Sequence, residues 1–377
     1  MHSFFSHASD FPRLSGANTK ISANKWQAAD PPPVNPMEPV NLSSVESSSL
    51  TEEYHAIARH VGLVDRTHLT RMKLVGKDTI DLLQRLSTND MTGFEPGSCR
   101  ETVLTTEKGR VVDVIRLYGL QDSSMLLICH ASAESVTNWI QNFIIMEDVT
   151  IENLGTATFL ISIFGPQTKR LLSQFGIKFE PDNRLSQTIE YRVDGIDILV
   201  GVAEPICGRG VNVLVETAHG PKIWKSLLEA GSKFRLQSAR PEALEVHRVE
   251  HGIPVYGKEL TLDDNPLEAR LEDLVSFTKG CYIGQEVIAR LDTYKKLQKR
   301  LMGVVLGEQV QLEAGARIAY ETKEIGRITS SVYSILLVKT IALSYIRTSK
   351  AIPGTKVSVY STAGDLPAEV IELPFRN

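Results

Sequence analysis

The sequence predicts an α+β body built from two related parts, followed by an all-β C-terminal unit. Three observations carry this. Strand-like hairpins alternate with helix-period stretches over residues 51–150. A similar order returns over 151–250. From about residue 301 onward the chain consists of short strands and turns.

The first helix is predicted in TEEYHAIARHVG, where Tyr54, Ile57, Ala58 and Val61 fall at i, i+3, i+4 and i+7. Thr51 is placed to cap it, Glu52 and Glu53 suit its positive end, and Gly62 stops it. TRMKLV reads as a strand, and Asp78 then opens a helix carrying Ile80, Leu83 and Leu86. ETVLTT and RVVDVIRLY form a hairpin across Glu107-Lys108-Gly109, and MLLIC is a strand leading into a helix with Val136, Trp139, Ile140, Phe143 and Ile144 on one stripe. In the second part ATFLISIF is a strand and QTKRLLSQF a helix. TIEYRV and IDILVGV flank Asp194-Gly195, which suits a type I′ hairpin turn. VNVLVE and KIWKSLLEAG add a strand and a helix. The closing strands, from LMGVVLG to PAEVIELPF, suit a small β-barrel or a sandwich.

Composition narrows the function. A formal net charge of −4 over 377 residues disfavours nucleic acid as a main partner, because phosphate neutralisation needs an excess of Lys and Arg on one face. No run of 18 apolar residues is long enough to span a bilayer. ILLVKTIALSYI carries Lys339 and reads as strands, so no membrane is predicted. The cysteines at 99, 129, 207 and 281 form no CxxC, which suggests neither a zinc site, a disulfide framework nor a resident iron–sulfur nest, and fits a reducing compartment. Residues 1–50 are rich in Ser, Asn and Pro without hydrophobic period. Their first 25 residues hold Asp10 against Arg13, Lys20 and Lys25. That matches an organellar transit peptide or an ordinary disordered tail, and the Ser-rich, Arg-poor character leans to the chloroplast over the mitochondrion.

Two residues stand out chemically. Strict alternation in RVVDVIRLY puts Asp113 on one face with Val111, Ile115 and Leu117. A carboxylate there is costly without a partner. It is either a structural Asp bonded to turn amides or a buried Arg, or a tuned acid facing a ligand amine. Cys281, in KGCYIGQEVIAR, has Lys279 and a helix start at Gly284-Gln285-Glu286 nearby to favour a thiolate. The residues alone put an inert buried thiol ahead of a nucleophile. Cys207-Gly208-Arg209-Gly210 precedes a strand rather than a helix, so it is no phosphate loop. His55 and His60 are wrongly spaced for a shared metal, and no metal site is predicted. Lys295, Lys296, Lys299 and Arg300 read as a solvated surface, or one that greets a ligand's acidic tail.

KGCYIGQE (279–286) resembles the signature of the folate-binding YgfZ family, the iron–sulfur-assembly branch of the glycine-cleavage T-protein (aminomethyltransferase) superfamily. The resemblance continues in residues 55–90, in KGRVVD (108–113), in EVHRVEHGIPVYGKEL (245–260), and in IGRITSS and PAEVIELPF. It implies a T-protein-like body of three subdomains round a central folate hole, with a C-terminal β-barrel. The expected domains are a targeting segment over 1–50, a folate-binding body over 51–300 and a barrel over 301–377. Within the body, two α+β parts at about 51–150 and 151–250 precede a signature segment at 251–300.

The resemblance makes tetrahydrofolate, or a one-carbon derivative, the expected cofactor. Asp113 would face it, with His130 and Arg248 as further cofactor-binding positions, and Cys281 would be the functional centre. Iron–sulfur assembly factors or client [4Fe–4S] enzymes would be the partners. Two departures count against glycine-cleavage catalysis. T-proteins place Gly-Glu-x-Gly-aromatic-Glu where this chain reads Gly208-Arg209-Gly210-Val211-Asn212, so the pterin-gripping acid is absent, and His130 stands for an asparagine. Folate-dependent aminomethyl transfer is the alternative reading.

Overall fold

A computed structural model describes residues 49–179, 188–208, 210–307, 309–362 and 364–375. The expected targeting segment lies outside these, apart from Ser49 and Leu50. Helix α1 (Leu50–Arg59) is opened by Ser49 rather than Thr51: Glu52 N donates to Ser49 Oγ at 3.2 Å and Ser49 N donates to Glu52 Oε2 at 2.9 Å. This reciprocal box satisfies two backbone donors at once. Strand β1 (Val61–Asp65) follows directly.

Strands β2 (Thr70–Val75), β3 (Cys99–Thr105), β4 (Val111–Gly119), β5 (Ser124–Ile128) and β6 (Thr150–Asn153) build one sheet in the order β3-β4-β5-β2-β6. Helices α2 (Thr79–Leu86) and α3 (Ala133–Gln141) cover it through Leu82, Leu83, Leu86, Val136 and Ile140. The α3 stripe ends sooner than its apolar pattern: Phe143 and Ile144 pack on this core from the turn beyond.

The second sheet runs β11 (Leu236–Ser238), β1, β7 (Thr158–Phe164), β10 (Val211–Glu216), β9 (Ile196–Val202), β8 (Thr188–Val193). Helices α4 (Thr168–Gln174) and α5 (Gly220–Gly231) pack against it. The predicted hairpin turn is present, with φ of 50° at Asp194 and 78° at Gly195. A division at residue 150 misplaces α1 and β1. Strand β1 pairs parallel with β11 and antiparallel with β7, because Val61 and Leu63 are apolar on a face that only the second core can bury. The two sheets are pinned together by buried Arg71, whose Nη2 donates to the Gly155 and Thr158 carbonyls at 2.5 and 2.6 Å.

Helices α6 (Pro241–Glu250) and α7 (Gln285–Tyr294) lie in the connecting segment. Six strands then close a barrel: β12 (Lys299–Leu306), β13 (Arg317–Tyr320), β14 (Lys323–Ser334), β15 (Lys339–Arg347), β16 (Lys356–Ser361) and β17 (Gly364–Ile371), in the order β12-β15-β14-β13-β16-β17. Closure removes both sheet edges. A further apolar cluster joins β3, α6 and the barrel through Val103, Val249, Leu301 and Ile341. The stretch read as strands rather than a span is a turn followed by β15, and among the described residues no helix is long and apolar enough to cross a membrane.

Candidate functional site

Asp113 sits at a break in the β3–β4 ladder. Leu104 pairs with Asp113 and Thr105 with Val111, so Val112 is skipped. The extra residue turns the strand locally. Val112 joins the core of Ile115 and Leu117, while Asp113 lines a cleft with Val114 and Arg116. The face expected from strict alternation is therefore wrong at this one point, and the bulge is what aims the carboxyl at the cleft.

The carboxyl is 2% exposed, and burial pushes its pKa up to about 6 against the pull of hydrogen bonds from Ser132 and the Val114 amide. The contacts explain how it tolerates a proton. Val114 N donates to Asp113 Oδ1 at 2.7 Å. Ser132 Oγ touches both Asp113 Oδ2 and the Cys129 carbonyl, yet a hydroxyl has one hydrogen to give. Both contacts are satisfied when protonated Asp113 donates to Ser132 Oγ and Ser132 donates to Cys129 O. Such a group can hold or release a proton near neutral pH.

The cleft has about 640 Å³ of empty space, open solvent included. Three parts of the chain meet there. Strand β4 supplies Asp113 and Arg116, Cys129 follows directly on β5, the second body supplies Arg66 and Glu204, and residues 253–256 form the far wall. Arg66 Nη1 lies 2.7 Å from Glu204 Oε2, and Arg116 Nη1 lies 3.6 Å from Glu204 Oε1. Arg116 Nη2 also reaches Glu101 Oε1 at 3.0 Å. Burial opposes the charge on Glu204, but the Arg66 and Arg116 guanidiniums override it and hold its carboxyl at about 2. Cys129 is the contrasting case, since burial pushes its thiol up.

The other expected cofactor positions are arranged differently. His130 is exposed, its Nδ1 3.3 Å from Thr70 Oγ1, and its neighbour Cys129 lines the cleft in its place. Arg248 is buried and spends all five N–H donors: two on Glu245, and one each on Glu259, Ser330 and the Ile253 carbonyl. With no donor left for a ligand, it positions the wall at 253–256 rather than touching what binds there. Glu250 accepts from Tyr54 OH at 2.8 Å and Ser334 Oγ at 2.6 Å, tying α6 to α1 and β14. Asn212, in the segment that departs from the T-protein pattern, is bonded to Ser162 of β7 and Tyr118 of β4 and so points between the sheets. Sequence reading missed Arg66, Ser132 and Glu204. A charged residue two positions after the apolar strand IDILVGV was the available signal for Glu204.

The 279–286 segment folds away from this cleft as a locked turn. Lys279 Nζ donates to the carbonyls of Gln84, Ser87 and Asn89 at 2.7, 2.8 and 2.7 Å. Burial lowers its pKa to about 8, which leaves it charged at neutral pH. Lys279 is thus a staple at the end of α2, its ammonium hydrogen-bonded to three carbonyls. Thr105 Oγ1 donates to Ile283 O at 2.6 Å, and Ile283 N to Arg85 O at 3.0 Å. Gly284 has φ +85°, and a Cβ there would lie 2.5 Å from Thr106 O. Cys281 is exposed, against the buried thiol favoured by the residues alone. The basic run is largely paired: Lys295 with Asp292, Lys299 with Asp264 and Arg300 with Glu272. Among the described residues no group of three His, Cys, Asp or Glu could hold a metal ion.

Comparison with known proteins agrees with this architecture. The GCVT N-terminal domain matches residues 19–279, and the glycine cleavage T-protein C-terminal barrel domain matches residues 299–376. An aminomethyltransferase of Halalkalibacterium halodurans is 26% identical over 333 residues, covering 88% of this chain and 91% of that protein. An Arabidopsis thaliana protein whose name describes a chloroplastic transferase is 28% identical over 325 residues, covering 86% and 73%. The crystal structure of glycine cleavage system aminomethyltransferase T from Bartonella henselae superposes with a TM-score of 0.77 at 21% identity, covering 87% of this chain and 89% of that one. Members of this family bind tetrahydrofolate as substrate or cofactor. With a T-protein body and a closed T-protein barrel along most of its length, the chain belongs to the glycine cleavage T-protein family.

Proposed function

We propose that this protein binds tetrahydrofolate in the Asp113 cleft and serves, through Cys281, as an accessory in the maturation or repair of [4Fe–4S] proteins, in the manner of the YgfZ branch. The observation that carries the reading is the 279–286 turn. Its lysine staple and hairpin contacts hold it fixed, while Cys281 is exposed to solvent. A thiol so presented can reach a cluster or persulfide on a client. That cluster is cargo belonging to the client.

The cleft residues fit folate. When bound, tetrahydrofolate supplies ring and bridge nitrogens that carry a one-carbon unit. Asp113 holds or releases a proton at its carboxyl, Arg66 and Arg116 supply positive charge clamped by Glu204, and residues 253–256 close the far side. His130 and Arg248 act at one remove, through Thr70 and Ile253. The acid-poor start of the chain and the name of the Arabidopsis relative support delivery to an organelle, the chloroplast ahead of the mitochondrion.

Aminomethyl transfer from a bound aminomethyl group is the second reading. The aminomethyltransferase relatives and the near-neutral titration of Asp113 favour it. The inward turn of Asn212 counts against it. Cells lacking their own family member, supplied with wild type or Cys281→Ala, decide between them with a [4Fe–4S] enzyme's activity as readout. Rescue by wild type alone is expected. Failure of both soluble proteins, with methylene-tetrahydrofolate formed in a reconstituted glycine-cleavage assay, would replace the accessory role by the transferase.

A further inference from the structure

A second thiol has a base beside it. Cys207 lies half-buried in the loop between β9 and β10, with φ of 50°. Its Sγ is 3.4 Å from Nδ1 of His247, a fully buried residue of α6. His247 Nε2 lies 3.0 Å from the Tyr54 carbonyl oxygen. A carbonyl only accepts, so Nε2 carries the ring hydrogen and Nδ1 is left to accept from the thiol. The imidazole is fixed further by stacking on Tyr54, with centroids 4.1 Å apart and planes at 3°. Among the described residues, three more groups face the pair from α1 and α6. Tyr54 stacks on the imidazole, Glu250 Oε2 lies 3.9 Å from Nδ1, and His251 Nε2 accepts from the Cys207 amide at 3.3 Å.

We propose that Cys207 and His247 form a nucleophile–base pair, and that Cys207 is a modification site for hydroperoxides. The site is separate from both the Asp113 cleft and Cys281. His247 Nδ1 takes the thiol proton, and the nearby Glu250 carboxylate steadies the imidazolium. The thiolate sulfur attacks one oxygen of hydrogen peroxide, forming an S–O bond as the O–O bond breaks. The departing hydroxide takes the proton back from His247 and leaves as water. Sulfur is oxidised to a sulfenic acid and peroxide is reduced, so that RSH + H2O2 gives RSOH + H2O. The added oxygen lengthens the side chain where it faces His247 and pushes on a short loop. The amides of Ile206 and Gly210 in that loop donate to the Glu204 carbonyl at 2.8 and 3.1 Å. Oxidation at Cys207 therefore loosens the residue that clamps Arg66 and Arg116 at the cleft.

The inference does not rest on folate binding, and its test uses none. The reduced full chain is exposed to hydrogen peroxide and trapped with dimedone, and the four cysteines are mapped by peptide mass spectrometry. Cys207 is expected to be labelled before the exposed Cys281, with faster amide exchange over residues 203–211. Cys207→Ser should lose both effects. The alkylation rate of Cys207 by iodoacetamide in wild type gives an independent readout of His247. An unpaired thiol's rate climbs about tenfold per pH unit below its pKa, whereas the pair should show a flatter profile that steepens in His247→Gln. Labelling of Cys281 with Cys207 untouched would overturn the proposal. So would a wild-type profile as steep as that of a free thiol.

Discussion

Replacing Asp113 by Asn should make the protein more stable at neutral pH while damaging its function. Burial raises the folded pKa of this carboxyl from 3.8 to about 6. Below 3.8 the group is neutral in both states and costs nothing. Between those values the folded state binds more protons than the unfolded chain, so wild-type stability falls as pH rises. Above pH 6 the full penalty is present, about 3 kcal/mol at roughly 1.4 kcal/mol per unit. Asn mimics the protonated acid: Oδ1 can keep the Val114 amide, and Nδ2 can donate to Ser132 Oγ while Ser132 keeps the Cys129 carbonyl. Urea unfolding from pH 4 to 8 should therefore show the two proteins converging at acid pH, with the variant ahead by up to about 3 kcal/mol at pH 8. The variant has lost the proton it would exchange with a ligand, a trade of activity for stability. Parallel curves, or a variant less stable at pH 8, would refute the account of Asp113 as a buried acid held at a cost.

Other outcomes follow from the signature turn. Lys279→Met takes a charged donor from three carbonyls, that of Ser87 buried and those of Gln84 and Asn89 partly buried, and should cost about 3 kcal/mol in chemical unfolding. Gly284→Ala meets both a positive φ and a Cβ contact of 2.5 Å with Thr106 O. A loss well above 1 kcal/mol is expected, read as a fall in melting temperature. Cys281→Ala, at an exposed position, should change stability by less than about 0.5 kcal/mol, so that any loss of rescue reports chemistry rather than folding.

Much of the fold was legible because each strand or helix advertises its own period. The Asp194-Gly195 hairpin and the α2 stripe are examples. What was not legible depends on partners far along the chain. VGLVD reads as a short apolar strand, but nothing in it says that it pairs with β7 and β11 rather than with its neighbour β2. Closure of the barrel rests on β12 meeting β17, which a pattern of short strands shares with a sandwich. At the site, Asp113 stood out as an acid among apolar residues. Its direction did not, since one skipped pairing at Val112 overrides alternation. Glu204 stayed hidden because its meaning comes from Arg66, 138 residues earlier. Arg248 stood among the expected cofactor positions, and its five donors are all filled by Glu245, Glu259, Ser330 and the Ile253 carbonyl, partners that the sequence does not bring together.

The most direct test of where folate sits is amide hydrogen exchange of the full chain with and without tetrahydrofolate. The account predicts added protection in β4 around Asp113–Arg116, at the end of β5 near Cys129, and at 253–256, with the 279–286 turn unchanged. No protection at saturating tetrahydrofolate, or protection confined to the turn that carries Cys281, would contradict it.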